Sequence, residues 1–292
     1  MVPDDQDITV APDRSLDSSK AHQIASEYDL NAIEAAAQLA EAEGARLVAI
    51  SASNAKAGDM KVRKSILSRG PEELLMIADD AYAFADSRTT AKALAKLVGD
   101  VEGGVDLVVC GDGSADMYAG QVNVQLASVL GVPCINSVTA MRMENGALVV
   151  ERTLDDVVEE IEVALPAVVG VSPDIALPRI AGMREILAAG KKPATVNDAA
   201  AAGVDTNGTV EIDSVVAPEL ADRKREIFDT KNDGDLDARF HLAPRRMHGQ
   251  QAAHRHRRPV EPHLRQGAHP GVAGHAVAPV LGFLPPAHHR RA

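Results

Sequence analysis

Short apolar segments alternate with alanine-rich segments, and this alternation most constrains how the 292-residue chain can fold. Residues 46–52, 74–78 and 105–110 are compact apolar runs typical of strands buried on both faces. Helical spacing of apolar residues over 24–39 predicts a helix that begins near Asp29 as N-cap, and the same spacing predicts helices at 62–67, 89–97 and 121–130. The alternation predicts a three-layer α/β/α fold with a mostly parallel sheet, in which ligands bind at the carboxyl ends of the strands.

The pattern changes after residue 130. Apolar runs at 148–152, 159–164 and 167–171 predict three strands that form an antiparallel addition to the sheet edge. A short helix is expected at 184–189, and little periodicity survives from 193 to 218. We therefore expect an α/β domain over 1–192, followed by an extended arm over 193–238 that packs on a partner.

The composition changes abruptly at residue 239. Residues 239–292 contain nine Arg, nine of the ten His, no Lys and one acidic residue, whereas residues 1–238 contain 21 basic and 41 acidic residues. The formal charge is therefore +8 in this tail and −20 before it. The favoured explanation is that this tail results from translation of a GC-rich gene in a shifted reading frame, and we expect the tail to be disordered. Metal binding by His254, His256, His288 and His289, or nucleic-acid binding by the arginines, is the alternative.

Composition also limits the functional classes. The acidic body argues against nucleic acid as a ligand, since phosphate backbones are bound by Lys and Arg. No apolar run approaches the roughly 20 residues of a membrane-spanning helix, and no signal peptide is apparent, so a cytoplasmic protein without membrane insertion is expected. Cys110 and Cys134 lie beside apolar residues, which predicts buried free thiols and no metal site.

The segment VVCGDGSADMYAGQV at 108–122 joins a predicted strand to a predicted helix. Glycines let backbone amides approach a ligand, and a helix N-terminus attracts anions, so the segment is a candidate phosphate site to which Asp116 and Gln121 contribute. The alternative is a tight turn that simply needs glycine. Neither GxGxxG nor GxxxxGK[ST] is present, and the local pattern leaves both interpretations open.

Longer segments of the sequence carry more information about function than this loop does. The segments SEYDLNAIEAAAQL (26–39), KVRKSILSRGPEEL (61–74), the 105–122 segment, LVVERTLDDVVEEIEVALPAVVGVSPDIALPRIAGMREIL (148–187) and GKKP (190–193) together resemble electron transfer flavoprotein beta subunits, in particular the FixA branch. The resemblance covers about residues 2–238, and Val157 and Gly170 depart from the family pattern. It implies an adenine nucleotide alpha hydrolase-like fold.

The resemblance also implies ligands and partners. The beta subunit holds AMP or a second FAD, and an alpha subunit carries the redox FAD that the two subunits share. Electrons pass from dehydrogenases to quinone or low-potential acceptors, so the subunit is an electron carrier without catalytic residues of its own. The implied nucleotide contacts are Ser26, Glu27, Tyr28, Asp29, Ala52, Gly111, Asp112, Gly113, Ser114, Ala115, Asp116, Gly120, Gln121 and Val122.

The resemblance also assigns roles to Arg179 and Met183. Arg179 matches an arginine near the flavin and the subunit contact, where its charge could stabilise an anionic reduced flavin; an ordinary surface ion pair is the alternative. Met183 matches a leucine that anchors dehydrogenase partners.

Family members begin with a buried strand before the VPD motif, which here is Val2–Asp4, so the given sequence lacks that strand. We expect its absence to leave an open position in the sheet, and a misassigned start codon is the favoured explanation.

Two other functional classes remain open. A nucleotide-hydrolysing or adenylating enzyme would need a pyrophosphate loop or a carboxylate cluster for Mg²⁺, and neither pattern is visible. A nucleotide-sensing stress-type protein would share the fold, but the long segment from Pro193 to Pro218 favours a chain that packs on a partner.

Overall fold

A computed structural model describes residues 1–210, 212–219 and 280–284. Its strands are β1 (Val2–Pro3), β2 (Thr9–Val10), β3 (Leu16–Asp17), β4 (Gln23–Ile24), β5 (Arg46–Ser53), β6 (Glu73–Ala78), β7 (Leu107–Gly111), β8 (Cys134–Glu144), β9 (Ala147–Thr153), β10 (Val158–Val163), β11 (Ala167–Val171), β12 (Ala194–Asn197) and β13 (Val280–Leu284). Its α-helices are α1 (Glu27–Glu43), α2 (Met60–Leu67), α3 (Ser87–Asp100), α4 (Val122–Leu130), α5 (Met183–Ala189) and α6 (Ala199–Ala202).

The central sheet has the strand order β10-β9-β8-β11-β7-β13-β5-β6-β12. Strands β7, β11 and β8 run parallel to one another, as do β5, β6 and β12. Strands β9 and β10 continue from β8 as an antiparallel extension. Two short antiparallel ribbons, β1 with β4 and β2 with β3, precede α1 in the chain.

Both faces of the sheet are covered, which explains the continuous apolar strands. In β5, Leu47 and Ala49 pack in one core with residues of α1 and α2, whereas Val48 and Ile50 pack in a second core with residues of α3 and α4. Because successive side chains of a strand point to opposite faces, a strand between two helical layers must be apolar throughout. The predicted three-layer α/β/α fold is confirmed.

Helix ends differ slightly from the sequence prediction. Helix α1 has Ser26 as its N-cap, so Asp29 lies in the first turn and is not the cap. Helix α3 is capped by Asp86, whose carboxylate accepts a hydrogen bond from the Thr89 amide at 2.7 Å. The same carboxylate accepts from the amide and hydroxyl of Thr209, which holds the start of the arm against α3.

The prediction that 167–171 belongs to an antiparallel addition is wrong. Strand β11 is buried along its whole length and lies inside the sheet, parallel to β7 and β8. Its uninterrupted apolar sequence is that of a parallel strand covered on both faces. The antiparallel extension is instead β8 with β9 and β10, and β8 escaped prediction because Asn136, Ser137 and Thr139 interrupt its apolar pattern.

The arm and the tail, where the sequence predicted no strand, each contain one. Strand β12 and the short helix α6 fall inside the arm, and β12 pairs parallel to β6 at the sheet edge. Strand β13 falls inside the tail and pairs antiparallel with both β5 and β7. Its sequence, VLGFL between prolines, is a short apolar run of the kind that forms buried strands. The sequence predicted an open position in the sheet, whereas β13 lies in the interior of the sheet between β7 and β5.

The rest of the tail, including His254, His256, His288 and His289, lies outside the described residues. Both cysteines are free thiols; Cys110 is buried, as predicted, whereas Cys134 is only half-buried. Burial raises the pKa of the Cys110 thiol well above its usual value, so this side chain packs as an apolar group.

Candidate functional site

Two separate segments that the sequence assigned to a ligand site lie next to each other. One is the N-terminus of α1, from Ser26 to Asp29, and the other is the 111–122 loop that connects β7 to α4. The amide of Ala115 donates a hydrogen bond of 3.0 Å to Oγ of Ser26, which is fully buried. This bond fixes the loop to the first turn of α1 at the carboxyl end of β7.

The glycines of the loop are needed for close contacts within the protein. A Cβ on Gly111 would lie 2.9 Å from the carbonyl carbon and oxygen of Tyr28, and a Cβ on Gly113 would lie 2.4 Å from the ring of Tyr118. Gly120 has a φ of +62°, a conformation that favours glycine. These contacts explain why a tight turn here needs glycine. That the loop also binds a phosphate stays a prediction.

Polar side chains of the loop hold its shape. Oδ1 of Asp116 accepts hydrogen bonds from Oγ of Ser114 at 2.6 Å and from the amide of Met117 at 2.7 Å. Oε1 of Gln121 accepts from Oγ of Ser87 at 3.2 Å, which connects the loop to the start of α3. Asp116 thus orders the loop itself, whereas Gln121 ties it to its neighbour.

Two carboxyl groups at the site have buried oxygens without a hydrogen-bond partner. Neither oxygen of Asp29 has a hydrogen-bond partner, and its side chain is fully buried 3.9 Å from the ammonium group of Met1. Burial raises the pKa of Asp29 well above its usual value; Asp116 adds to this increase and the Met1 ammonium opposes it. Oδ1 of Asp112 also lacks a partner, and burial raises the pKa of Asp112.

These orphaned oxygens make the site compatible with an adenine nucleotide. Buried polar atoms are normally paired, so the oxygens of Asp29 and Asp112 call for hydrogen-bond donors, such as ribose hydroxyls or the adenine amino group. The 111–122 loop contains no Lys or Arg, so a phosphate would depend on backbone amides. The first turn of α4 is suited to this, because Gln121 does not cap it with its side chain.

Comparison with known protein families matches residues 15–202 to the electron transfer flavoprotein domain. The match covers more than half of the chain and includes both segments of the site. The chain belongs to the electron transfer flavoprotein family.

Three further residues assigned to the flavoprotein site differ in position and exposure. Ala52 is buried near the end of β5, and β13 separates that strand from β7. Val122 is buried in the core, where its side chain is packed against α3 and α4 residues. Glu27 is exposed at the start of α1. The contacts of Ala52, Val122 and Glu27 with a nucleotide stay predictions.

Arg179 forms an ion-pair network with α1. Its Nε lies 2.7 Å from Oε2 of Glu34, Nη2 donates to Oε1 of the same residue at 3.1 Å, and Nη1 donates to Oε1 of Glu41 at 2.5 Å. The amide of Arg179 also donates to Glu34. In this flavoprotein chain the guanidinium therefore anchors the segment after β11 to α1, and its predicted role beside a flavin has no direct support from these contacts.

The segment from Leu177 to Leu187, which we call the docking segment, exposes large apolar side chains. Leu177 is 90% exposed, Ile180 96% and Met183 72%. A cavity of about 390 Å³ adjoins it and is lined by Ser68, Gly70, Arg179, Ile180, Ala181, Glu185, Ala188 and Lys192. The sequence singled out Met183, but Leu177 and Ile180 are the more exposed apolar residues of this electron transfer flavoprotein surface.

Tyr118 lies inside the predicted loop, but no role of its own was predicted for it from the sequence. Tyr118 packs on Gly113 and lies with its ring centroid 5.2 Å from that of Tyr28. The chain contains only three tyrosines and no tryptophan. A tyrosine in a loop of small residues is the signal that could have identified it.

Two features are absent from the residues that the structure describes. No group of three or more His, Cys, Asp or Glu side chains is arranged to hold a metal ion there. None of the helices in those residues combines the length and apolar character needed to cross a membrane.

Proposed function

We propose that this chain is the beta subunit of a heterodimeric electron transfer flavoprotein, of the FixA branch. It binds an adenine nucleotide, AMP or a second FAD, between the 111–122 loop and the first turn of α1. Together with an alpha subunit it transfers electrons from dehydrogenases to a quinone-linked or low-potential acceptor. It is an electron carrier in the cytoplasm and has no catalytic acid, base or nucleophile of its own.

The observation that carries the nucleotide proposal is the bond between Ala115 and Ser26. It joins the two segments that the family resemblance assigns to the nucleotide, although Ser26 and Ala115 are 89 positions apart in the chain. The orphaned oxygens of Asp29 and Asp112 lie at this junction and supply acceptors for hydroxyl or amino groups. A bound FAD would supply a flavin that accepts and releases electrons; the residues of this chain bind and orient its nucleotide end.

The docking segment supports the proposed redox partners. Exposed Leu177, Ile180 and Met183 form an apolar surface beside a cavity, and such surfaces commonly bind other proteins. Arg179 holds this segment against α1 through Glu34 and Glu41, so we propose that it positions the segment for docking. We also propose that the Arg179 guanidinium lies near the flavin in the heterodimer.

Co-expression with the alpha subunit encoded in the same genome tests the function. We expect a yellow heterodimer that, after denaturation, releases either one FAD and one AMP or two FAD molecules. The flavin-to-protein ratio measured by absorbance distinguishes these two forms. ATP hydrolysis by the isolated chain would instead support the enzyme class, and a colourless homodimer that retains nucleotide would support the sensor class.

A pair of serine variants locates the nucleotide. Ser26→Ala removes the acceptor of the Ala115 amide, and we expect it to lower the nucleotide content of the purified protein severalfold. Ser65→Ala is the matched control, because the Ser65 hydroxyl donates to Val62 O within α2. Equal nucleotide content in the two variants would contradict a site at the 111–122 loop.

A further inference from the structure

Tyr118 has a backbone conformation that its side chain disfavours. Its φ is +44°, in the left-handed region where residues other than Gly, Asn and Asp are uncommon. Such strain persists only where surrounding contacts hold it, and it is concentrated at ligand sites and switches. The contacts that hold Tyr118 in place are therefore informative.

Three groups hold the Tyr118 side chain. Its ring covers the Cα of Gly113, since a Cβ there would lie 2.4 Å from ring atoms Cδ2 and Cε2. The ring is tilted by 51° against that of Tyr28. Its hydroxyl donates a long hydrogen bond of 3.3 Å to Oδ2 of Asp112. Gly113, Tyr28 and Asp112 were all assigned to the nucleotide site, so the ring lies across that site.

The place of this ring is also suited to the flat ring of a ligand. A bare glycine backbone allows close approach, Tyr28 offers an aromatic face, and Asp112 offers an acceptor. An adenine ring placed there would contact all three groups, but it would be blocked while the Tyr118 ring covers Gly113. The side chain and the ligand ring compete for one surface.

The Tyr118 ring can leave this surface without disturbing the core. The residue is 54% exposed, so an outward rotation opens no cavity in the protein interior. Gly120, at a φ of +62°, and Gly113 flank it and leave the backbone between them adaptable.

We propose that Tyr118 is a movable aromatic gate, which must rotate away from Gly113 before an adenine nucleotide binds at the 111–122 loop. The proposal rests on the proposed nucleotide-binding function. Only molecules with the gate open bind the nucleotide, so the apparent affinity is the intrinsic affinity multiplied by the open fraction. The side chain at position 118 therefore sets the apparent affinity for the nucleotide.

Three variants of the full chain test the gate through AMP and FAD affinity, measured by calorimetry. Tyr118→Gly and Tyr118→Asn both remove the ring; the first tolerates any backbone conformation, and the second tolerates the left-handed one. We expect both to bind AMP about tenfold more tightly than the unmodified chain, as for a gate that is open in about a tenth of the molecules. Tyr118→Phe keeps the ring, so its affinity stays within about threefold, the effect of one weak hydrogen bond.

Fluorine NMR of protein labelled with 3-fluorotyrosine observes the gate directly. The chain has three tyrosines, so three signals are expected, which Tyr→Phe variants assign. Saturating AMP should shift the signals of Tyr118 and Tyr28 and leave that of buried Tyr82 in place. An unmoved Tyr118 signal in protein that binds AMP would overturn the gate.

The outcomes separate the gate from the function on which it rests. If the unmodified chain binds AMP or FAD but Tyr118→Gly and Tyr118→Asn bind no more tightly, the gate is wrong and the nucleotide site stands. Weaker binding by both variants would mean that Tyr118 stacks on the ligand, which also overturns the gate. If no variant binds either nucleotide, both proposals fail.

Discussion

The 111–122 loop and the docking segment are the two candidate functional regions, and they are built in opposite ways. The loop places polar groups in buried surroundings, with Ser26 and Asp29 fully buried beneath it and Gly111 in contact with the backbone of Tyr28. The docking segment keeps its polar contacts at its base, through Arg179, and turns Leu177 and Ile180 to solvent. A region that binds a small ligand must be shaped by the protein, whereas a region that meets another protein must be left uncovered.

The largest effect on stability is expected when a glycine of the 111–122 loop is replaced by a residue with a side chain. A methyl group in Gly111→Ala would meet backbone atoms of Tyr28, which cannot move aside as a flexible side chain can. We expect the free energy of unfolding, measured in urea, to fall by about 1–3 kcal/mol, and nucleotide binding to weaken. Gly99→Ala is the control: nothing lies within 4 Å of that position in α3, so it should raise stability by up to about 1 kcal/mol.

A smaller, pH-dependent effect is expected for Asp29→Asn. Because the pKa of Asp29 is raised in the folded protein, the protonated carboxyl stabilises the fold at a pH below about 3.9, its usual value. This stabilisation is lost as the pH rises through the folded-state pKa. The Met1 ammonium and Asp116 are the charges that act on this group, in opposite directions.

Denaturant unfolding of both proteins between pH 4 and 8 measures this effect. The free energy of unfolding of the unmodified chain, relative to that of Asp29→Asn, should decline as the pH rises. The change should exceed the about 0.5 kcal/mol typical of surface substitutions. A constant difference over this range would contradict a buried carboxyl with a raised pKa.

The smallest effect on stability is expected in the docking segment. The double variant Leu177→Ser, Ile180→Ser replaces side chains that are 90% and 96% exposed, so the free energy of unfolding should change by less than about 0.5 kcal/mol. The rate of electron transfer from a dehydrogenase partner should nevertheless fall about tenfold, as for the loss of one binding hot spot. Leu154→Ser, on the antiparallel extension, should leave that rate unchanged, and an equal loss would contradict docking at this segment.

The sequence allowed prediction of the elements that depend on local pattern. The strands β5, β6 and β7 were predicted because burial on both faces requires an uninterrupted apolar run. Helices α1, α2, α3 and α4 were predicted from apolar spacing, within a few residues at each end. The 111–122 loop was located because it follows such a strand and precedes such a helix.

Elements that depend on distant partners escaped prediction. Strand β8 has polar residues, since its antiparallel pairing with β9 brings it towards the solvent. Strand β12 is a four-residue edge strand, too short for a periodic signal, and its place depends on β6. Strand β11 was recognised as a strand but assigned to the wrong part of the sheet, because pairing partners cannot be identified from the segment itself.

The sequence by itself determined the α/β class, the layer arrangement and the loop at the end of β7, because hydrophobic periodicity and glycine placement are local properties. Only the tertiary structure decided why Gly111 and Gly113 are glycines, since the atoms that exclude a side chain belong to Tyr28 and to the folded-back ring of Tyr118. It also decided that Asp29 is buried without a hydrogen-bond partner and that Arg179 pairs with α1. Contacts between residues far apart in the chain exist only once the sheet has formed, so no local pattern records them.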